Sequence, residues 1–369
     1  MTTSRTISFV DLAAKYAPYS AQFQEDLKRV LASGNYILGG EVARLEHSIK
    51  EYSGSPCAVA VANGTDALLL SLKAAGVKSG DEVITTPMSY LATTSTIALS
   101  GATAVFVDVD ASLNMDPECI EEAITEKTKA ISVVHLAGIP AQIERIAEIA
   151  DKYRLALIED CAQSLGATLN GRLTGTFGRF GTLSFHPLKN LGTLGDGGMI
   201  LMREQEDSDW MMQARNHGHR GRDECDFWSI NSRLDELHAA FLSTQLKGYD
   251  GELKRRKRLA QIYREKLRGI VEFPEVAPGS DPSYNWTMIL VERREELISY
   301  LERSGIEVKV HYPKLIPEMK AAKENCRSQN DLPNAKKMVK KILSVPTSEH
   351  ITEADAHHVC QRVSEFFRK

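Results

Sequence analysis

No C-x-x-C pair occurs in this chain. Its six cysteines, Cys57, Cys119, Cys161, Cys225, Cys326 and Cys360, are scattered through 369 residues and match no Cys/His zinc spacing. Reduced thiols in a cytosolic protein are the simplest account. No apolar run approaches the ~20 residues of a membrane span. The first twenty residues, MTTSRTISFVDLAAKYAPYS, lack the apolar core and cleavage pattern of a secretion signal. A cytoplasmic protein with no membrane partner is therefore expected. An excess of one charge is also missing: 45 Lys and Arg against 49 Asp and Glu leave a net charge of −4. Nucleic-acid binding gets no support from charge. The basic stretch LKRRKRLAQIYREKLRG has helical spacing and reads as a solvated helix face. No internal repeat or low-complexity tract is present.

Several catalytic signatures are absent as well. There is no G-x-x-x-x-G-K-[ST] phosphate loop. The segment GTLGDGG lacks G-x-G-x-x-G, and a short apolar run follows it where a nucleotide loop would open a helix. Ser184 does not sit in G-x-S-x-G.

What is present is an ordinary globular composition, 43% hydrophobic and 25% charged. From residue 57 strand-like and helix-like segments alternate: CAVAVAN, then GTDALLLSLKAAG; DEVITTP, then ATTSTIALSG; TAVFVDVD, then DPECIEEAIT with Asp116 as cap and Pro117 at the first helical position. KAISVVHLAG, QIERIAEIADKY and RLALIEDCA continue the pattern, and Thr182–Phe185 and Met199–Met202 read as two more strands. This alternation predicts an α/β fold with a mostly parallel sheet. Near residue 235 the pattern changes to almost continuous helix, followed by short strands (YNWTMILVE, IEVKVHYP) and further helices. We expect a large domain over 1–250 and a smaller α+β domain over 251–369. PEMKAAKENCRSQNDLPNAKK reads as a polar surface segment.

Ligands of open parallel sheets sit beyond the carboxyl ends of the strands. The residues there are Asn63-Gly64-Thr65, Thr86 to Tyr90, Asp108, His135, Glu159 to Gln163, and a loop around Lys189. Gly64-Thr65, between a strand and a helix start, suits an anion, best a phosphate; it also fits a plain turn with a threonine cap. Asp160 ends a strand and could bind a metal, act as a base, pair with a heterocyclic N–H⁺, or cap a helix. Glu159 points to the opposite face. Lys189 lies in a tight turn between two buried strands, where an ammonium is costly unless paired or neutral. A lysine so placed is nucleophilic. Phosphate turn, strand-end carboxylate and buried lysine together meet the three needs of pyridoxal phosphate. The loop RNHGHRGR gathers Arg215, His217, His219, Arg220 and Arg222. It could bind a metal, contact an anionic substrate, or simply face solvent.

Eight segments in order carry a resemblance: VDL (10–12), GNYILGGEVARLE (34–46), VANGTDALLLSL (61–72), GDEVITTPMSYLATTS (80–95), FVDVD (106–110), IEDCAQSLGA (158–167), SFHPLKNLGTLGDGGM (184–199) and NSRLDELHAA (231–240). The chain resembles the DegT/DnrJ/EryC1/StrS sugar aminotransferases over nearly its whole length. The resemblance implies a fold-type I, aspartate-aminotransferase-like α/β architecture with pyridoxal 5'-phosphate as cofactor. It implies that Lys189 forms the Schiff base and later shuttles the proton. Asp160 would pair with the pyridine nitrogen, Gln163 would contact the ring hydroxyl, and Tyr90 would stack on the ring. Gly64, Thr65 and Ser184 would hold the phosphate. Asn231 would reach it from the neighbouring subunit of a homodimer with shared active sites. His186, Arg220, His311 and Tyr312 would border the substrate.

KNLGTLGDGG with NSRLDEL looks like members that aminate a nucleotide-linked 3-keto sugar, with glutamate as the expected donor. His186 departs from the tyrosine of many such relatives, and KLIPEM departs from their proline-leucine-histidine run. Amination at C4, or of a keto-cyclitol or free keto sugar, therefore stays open. So do a sugar dehydratase, which would carry histidine in place of the lysine, and a non-catalytic regulatory protein of the same fold.

Overall fold

The computed structural model describes residues 6–221 and 223–368. Its centre is an eight-stranded sheet. In chain order the strands are β1 (Cys57–Val61), β2 (Glu82–Thr85), β3 (Thr103–Phe106), β4 (Thr128–Val134), β5 (Ala156–Asp160), β6 (Phe180–Ser184), β7 (Gly198–Met202) and β8 (Cys326–Ser328). They lie in the order β1-β7-β6-β5-β4-β2-β3-β8. β7 runs antiparallel to both β1 and β6, and the other pairings are parallel. β1 and β7 are buried at every residue. A sheet covered on both faces needs such unbroken apolar runs, which is why CAVAV and GMILM do not alternate. Helices such as Gly64–Ala74, Leu91–Leu99 and Ile143–Tyr153 supply the cover. Ile143, Ile146 and Ile149 all face the core, as their spacing predicts.

Glycine is required where β6 passes under the loop before it. A Cβ on Gly181 would lie 2.1 Å from the carbonyl oxygen of Gly175. Gly198 has the same role at the head of β7, where a Cβ would meet the Asn63 carbonyl group at 2.4 Å. That close approach brings β7 against the Gly64 turn.

A second core gathers Leu259, Ile262, Tyr263, Ile289, Leu297, Leu301, Leu343, Val359 and Val363, together with Ile7 from the other end of the chain. Its strand pair is Thr287–Leu290 with Ile342–Val345, antiparallel. Helices Glu236–Leu246 and Tyr249–Lys266 are separate elements. The predicted near-continuous helix is interrupted there, at Gly248.

Two other expectations are corrected. IEVKVHYP forms no strand; its backbone pairs only at Ile306 with Ile7 and at Lys309 with Ser344. Pro313 has no N–H with which to extend a ladder. The polar segment 317–337 is more than surface. Its Cys326–Ser328 is β8, the edge strand beside β3, and Leu332 and Ala335 are buried. An edge strand needs few apolar residues because one side remains open, so its sequence looks like loop. Arg327 ties it down through two hydrogen bonds to Glu82, at 3.0 and 2.8 Å. Among the described residues no helix is long and apolar enough to cross a membrane.

Candidate active site

A cavity of about 350 Å³ opens at the carboxyl ends of β5 and β6. Its wall contains Gly64, Thr65, Tyr90, Asp160, Gln163, Ser184, His186, Lys189, His311 and Tyr312. Ten of the sequence-predicted site residues thus share one space. Asn231 and Arg220 do not line it. Asn231 is exposed and pairs across a bridge with Asn216. Arg220 is exposed and faces Asp226 at 3.4 Å. The rest of the basic loop is dispersed: Arg215 is buried against Glu46 at 2.5 Å, and His217 meets His219 edge to face. Arg222 lies outside the described residues.

The anion turn is built by β1 ending at Val61 and the helix Gly64–Ala74 starting three residues later. Asn63, not Thr65, is the cap: its Oδ1 accepts from the Asp66 N–H at 2.8 Å. Thr65 is therefore left for another role. A Cβ on Gly64 would stand 2.8 Å from the Ser184 Cβ. Only glycine leaves room between that turn and Ser184, in front of N–H groups that suit a phosphate.

Asp160 and Glu159 divide as their alternation requires. Glu159 is turned away and saturated. Its oxygens accept from the backbone N–H groups of Gly175 (2.8 Å), Phe177 (2.8 Å) and Gly178 (2.7 Å), and it contacts His135 Nε2 at 3.1 Å. His135 Nδ1 accepts from the Ala141 N–H, so Nε2 is the donor and the ring is neutral. This explains the buried His135–Glu159–Cys161 cluster as a structural knot. Asp108 is likewise used structurally, accepting from the N–H groups of Asn334 and Ala335. Asp160 is buried but points at the cavity. Its Oδ2 accepts from the Thr93 hydroxyl at 2.7 Å and its Oδ1 from the Ala162 N–H at 3.1 Å.

Lys189 sits in a loop closed by its own backbone. Its N–H donates to the His186 carbonyl at 2.8 Å, and Thr193 N–H donates to the Phe185 carbonyl at 2.8 Å. Burial pushes the Lys189 ammonium below its ordinary pKa, and the Asp160 carboxylate offsets part of that effect. Gln163 is oriented by the backbone: Oε1 accepts from the Ala137 N–H at 2.6 Å, leaving the amide N–H₂ toward the Tyr312 hydroxyl at 3.3 Å. Burial, with Asp160 nearby, pushes the Tyr312 phenol well above its usual range. His311 stacks on Trp286 with ring centroids 4.1 Å apart and touches the Ser344 hydroxyl at 3.0 Å. Burial, then the Lys189 and Lys309 charges, hold its pKa down to about 4, so it is neutral near pH 7. Tyr90 is 56% exposed at the mouth, its ring 6.3 Å from that of Tyr312.

Sequence reading missed Trp286, Asp196 and Thr93, and it gave Ser89, one of the strand-end residues it singled out, no role. Trp286 and Asp196 line the cavity, and Ser89 does too. Thr93 lies one helical turn beyond Tyr90, and a hydroxyl there beside a strand-end acid was the available signal. Trp286 comes from the far part of the chain and gave none.

The DegT/DnrJ/EryC1/StrS aminotransferase family model matches residues 19–364. The chain belongs to that family. It is 37% identical to a pleiotropic regulatory protein of Geobacillus stearothermophilus over 98% of this chain and 99% of that one. It is 38% identical to the dTDP-3-amino-3,6-dideoxy-alpha-D-galactopyranose transaminase of Aneurinibacillus thermoaerophilus, over 98% and 99%. Among solved structures, S. venezuelae DesV in complex with a ketimine intermediate superposes with a TM-score of 0.95 at 35% identity, covering 99% of each chain. Family membership implies pyridoxal phosphate. The residues present fit it: the glycine-cleared gap at Gly64, the Asp160 carboxylate and the pKa-lowered Lys189 amine line one cavity.

Proposed function

We propose that the chain transfers an amino group from glutamate to C3 of a nucleotide-linked 3-keto-deoxysugar, using pyridoxal phosphate. The observation that carries this reading is the meeting of Lys189, Asp160 and the Gly64 turn in one cavity, joined to the similarity to a 3-amino dTDP-sugar transaminase. Gly64, Thr65 and Ser184 would hold the phosphate, Asp160 the ring nitrogen, Gln163 the ring hydroxyl and Tyr90 the ring face. When bound, the cofactor supplies an aldehyde that accepts the amino group and a ring that withdraws electrons from the adjoining carbon. Lys189 holds and moves the proton; its lowered pKa leaves more of the neutral amine that can accept one. Neutral His311 and the Tyr312 phenol face the substrate as hydrogen-bonding groups without adding charge.

The dehydratase reading requires histidine at the lysine position, and Lys189 occupies it. The regulatory name of the Geobacillus relative favours a non-catalytic role, but the lysine, acid and amide remain assembled here. With pyridoxal phosphate, glutamate and a dTDP-linked 3-keto-6-deoxyhexose, we expect 2-oxoglutarate release and a new C3 amine by NMR. A 4-keto isomer turned over faster would move the assignment to C4.

The proposal includes a homodimer with shared active sites. Leu91, Leu188 and Leu194 are about half exposed, as are Tyr36 and Ile37, and Trp228 is 89% exposed. A second copy would cover such side chains. Asn231, outside its own chain's cavity, would complete the neighbour's. Mixing inactive Lys189→Ala with weakened Asn231→Ala subunits should then restore roughly a quarter of wild-type activity, because half the dimers are mixed and each holds one intact site. Mixtures no more active than Asn231→Ala alone would place Asn231 outside the shared site.

A further inference from the structure

Lys15 is a buried lysine that the chemistry above does not use. It lies in the short helix Leu12–Tyr16 and is 6% exposed. Its ammonium donates to the Lys189 carbonyl at 2.6 Å and to the Pro187 carbonyl at 3.1 Å, and it faces Glu349 at 3.5 Å. Three acceptors thus match its three N–H donors. The neighbouring Tyr16 hydroxyl contacts the same loop, at the carbonyls of Pro187 (3.3 Å) and Thr193 (3.0 Å). Glu349 is itself anchored by Arg256 at 2.5 Å, and Arg256 also donates to the carbonyls of Tyr284 and Asn285. The start of the chain, the helix Tyr249–Lys266 and the 347–350 loop therefore converge beneath the backbone that carries Lys189.

We propose that Lys15 is a positioning residue for Lys189: its hydrogen bonds to the Pro187 and Lys189 carbonyls fix the loop so that the reacting amine is held toward Asp160. The inference rests on the reading of Lys189 given under Proposed function. A lysine side chain has four rotatable bonds, so the place of its nitrogen depends on how firmly its own backbone is held. Loss of the Lys15 donors would take the hydrogen bond from the buried Lys189 carbonyl and leave Pro187 held by Tyr16 and Glu349 by Arg256 alone, and the loop would shift to satisfy the Lys189 carbonyl. Small displacements of a reacting group are costly to rate.

The groups facing Lys15 are Glu349 from the 347–350 loop, Arg256 and Glu252 from the helix Tyr249–Lys266, His186 from the lysine loop, and Tyr16 from its own helix. Burial, against the opposing pull of Glu349, brings the Lys15 pKa down to about 8. Although burial opposes it, the Arg256 and Lys15 charges hold Glu349 down to about 2. The clamp is therefore complete below about pH 8. It gives up one of its three N–H donors as pH rises through that value.

The test compares the full-length, cofactor-loaded wild type with Lys15→Met. We expect kcat to fall about ten-fold while KM for the keto sugar stays within about two-fold, because the change acts on the reacting amine rather than on substrate binding. The pH midpoint of the loaded protein's visible absorption should move by about half a unit or more. A purely structural role would lower the melting temperature and leave midpoint and kcat alone, and that result overturns the proposal. If Lys15→Met does not fold, Glu349→Gln replaces it. Removing the facing carboxylate should move the alkaline limb of the kcat profile to lower pH, and an unmoved limb overturns the proposal equally. Wild type with neither visible absorption nor turnover would instead overturn the aminotransferase reading, and this inference with it, so the two failures are distinct.

Discussion

Lys189→Ala is expected to remove the visible absorption of the pyridoxal-phosphate-loaded protein and to lower turnover by at least about 10⁴-fold, the upper range for losing a positioned acid–base group. Among the described residues no other Lys or Arg lines the cavity to replace it. Lys15 is engaged with the Pro187 and Lys189 carbonyls, and His311 is held neutral near pH 7. The substitution also has a signature in the cofactor-free chain. Because burial lowers the folded-state pKa of Lys189 beneath its ordinary 10.5, the folded protein binds this proton less tightly than the unfolded one. The folded state is therefore penalised below the lowered pKa, and the penalty fades as pH rises toward 10.5. Lys189→Ala should raise the melting temperature near neutral pH, with the gain shrinking at alkaline pH. Turnover at the wild-type rate would remove Lys189 from the chemistry, and a pH-independent stability change would remove the buried-ammonium argument.

The second large effect is expected at Asp160. Asp160→Asn keeps the shape of the side chain, so Asn Oδ1 can still accept from the Ala162 N–H and the amide can still meet the Thr93 hydroxyl. The charge is lost, and the bond to Thr93 reverses, with the amide N–H₂ donating to the hydroxyl oxygen. If the carboxylate stabilises a protonated ring nitrogen, its removal costs on the order of 3–4 kcal/mol in a buried site, or roughly 10²–10³-fold in rate. Cofactor should still load, since the Gly64 turn and Lys189 are untouched, so visible absorption persists while single-turnover rates with glutamate fall. Full activity in Asp160→Asn would assign the carboxylate to structure alone.

Legibility followed the range of the chemistry. β1 to β7 could be read because each is a local apolar run between turn residues. Gly64, Asp160 and Lys189 could be read because each lies at or just beyond the carboxyl end of a strand, and such ends of a parallel sheet converge without further information. Lys15 could not. Its meaning depends on carbonyls more than 170 residues away, and a lysine in DLAAKY looks like any solvated one. Trp286 was hidden for the same reason. β8 was hidden by its edge position, where polar residues are tolerated. IEVKVHYP misled because alternating valines suit a buried flank as well as a ladder: Val308 packs in the second core although its segment makes no strand.

The pairing of Cys326–Ser328 with Thr103–Phe106 also governs when this protein can be finished during synthesis. β3 emerges from the ribosome early and waits with one flank unpaired until residues near the far end of the chain have been made. Long-range pairing of this sort is slow and leaves an adhesive margin exposed meanwhile. A fragment stopped near residue 250 would keep Gly64, Thr65, Asp160, Ser184 and Lys189, yet carry that bare margin permanently. Self-association, rather than a miniature enzyme, is the fate its architecture prescribes.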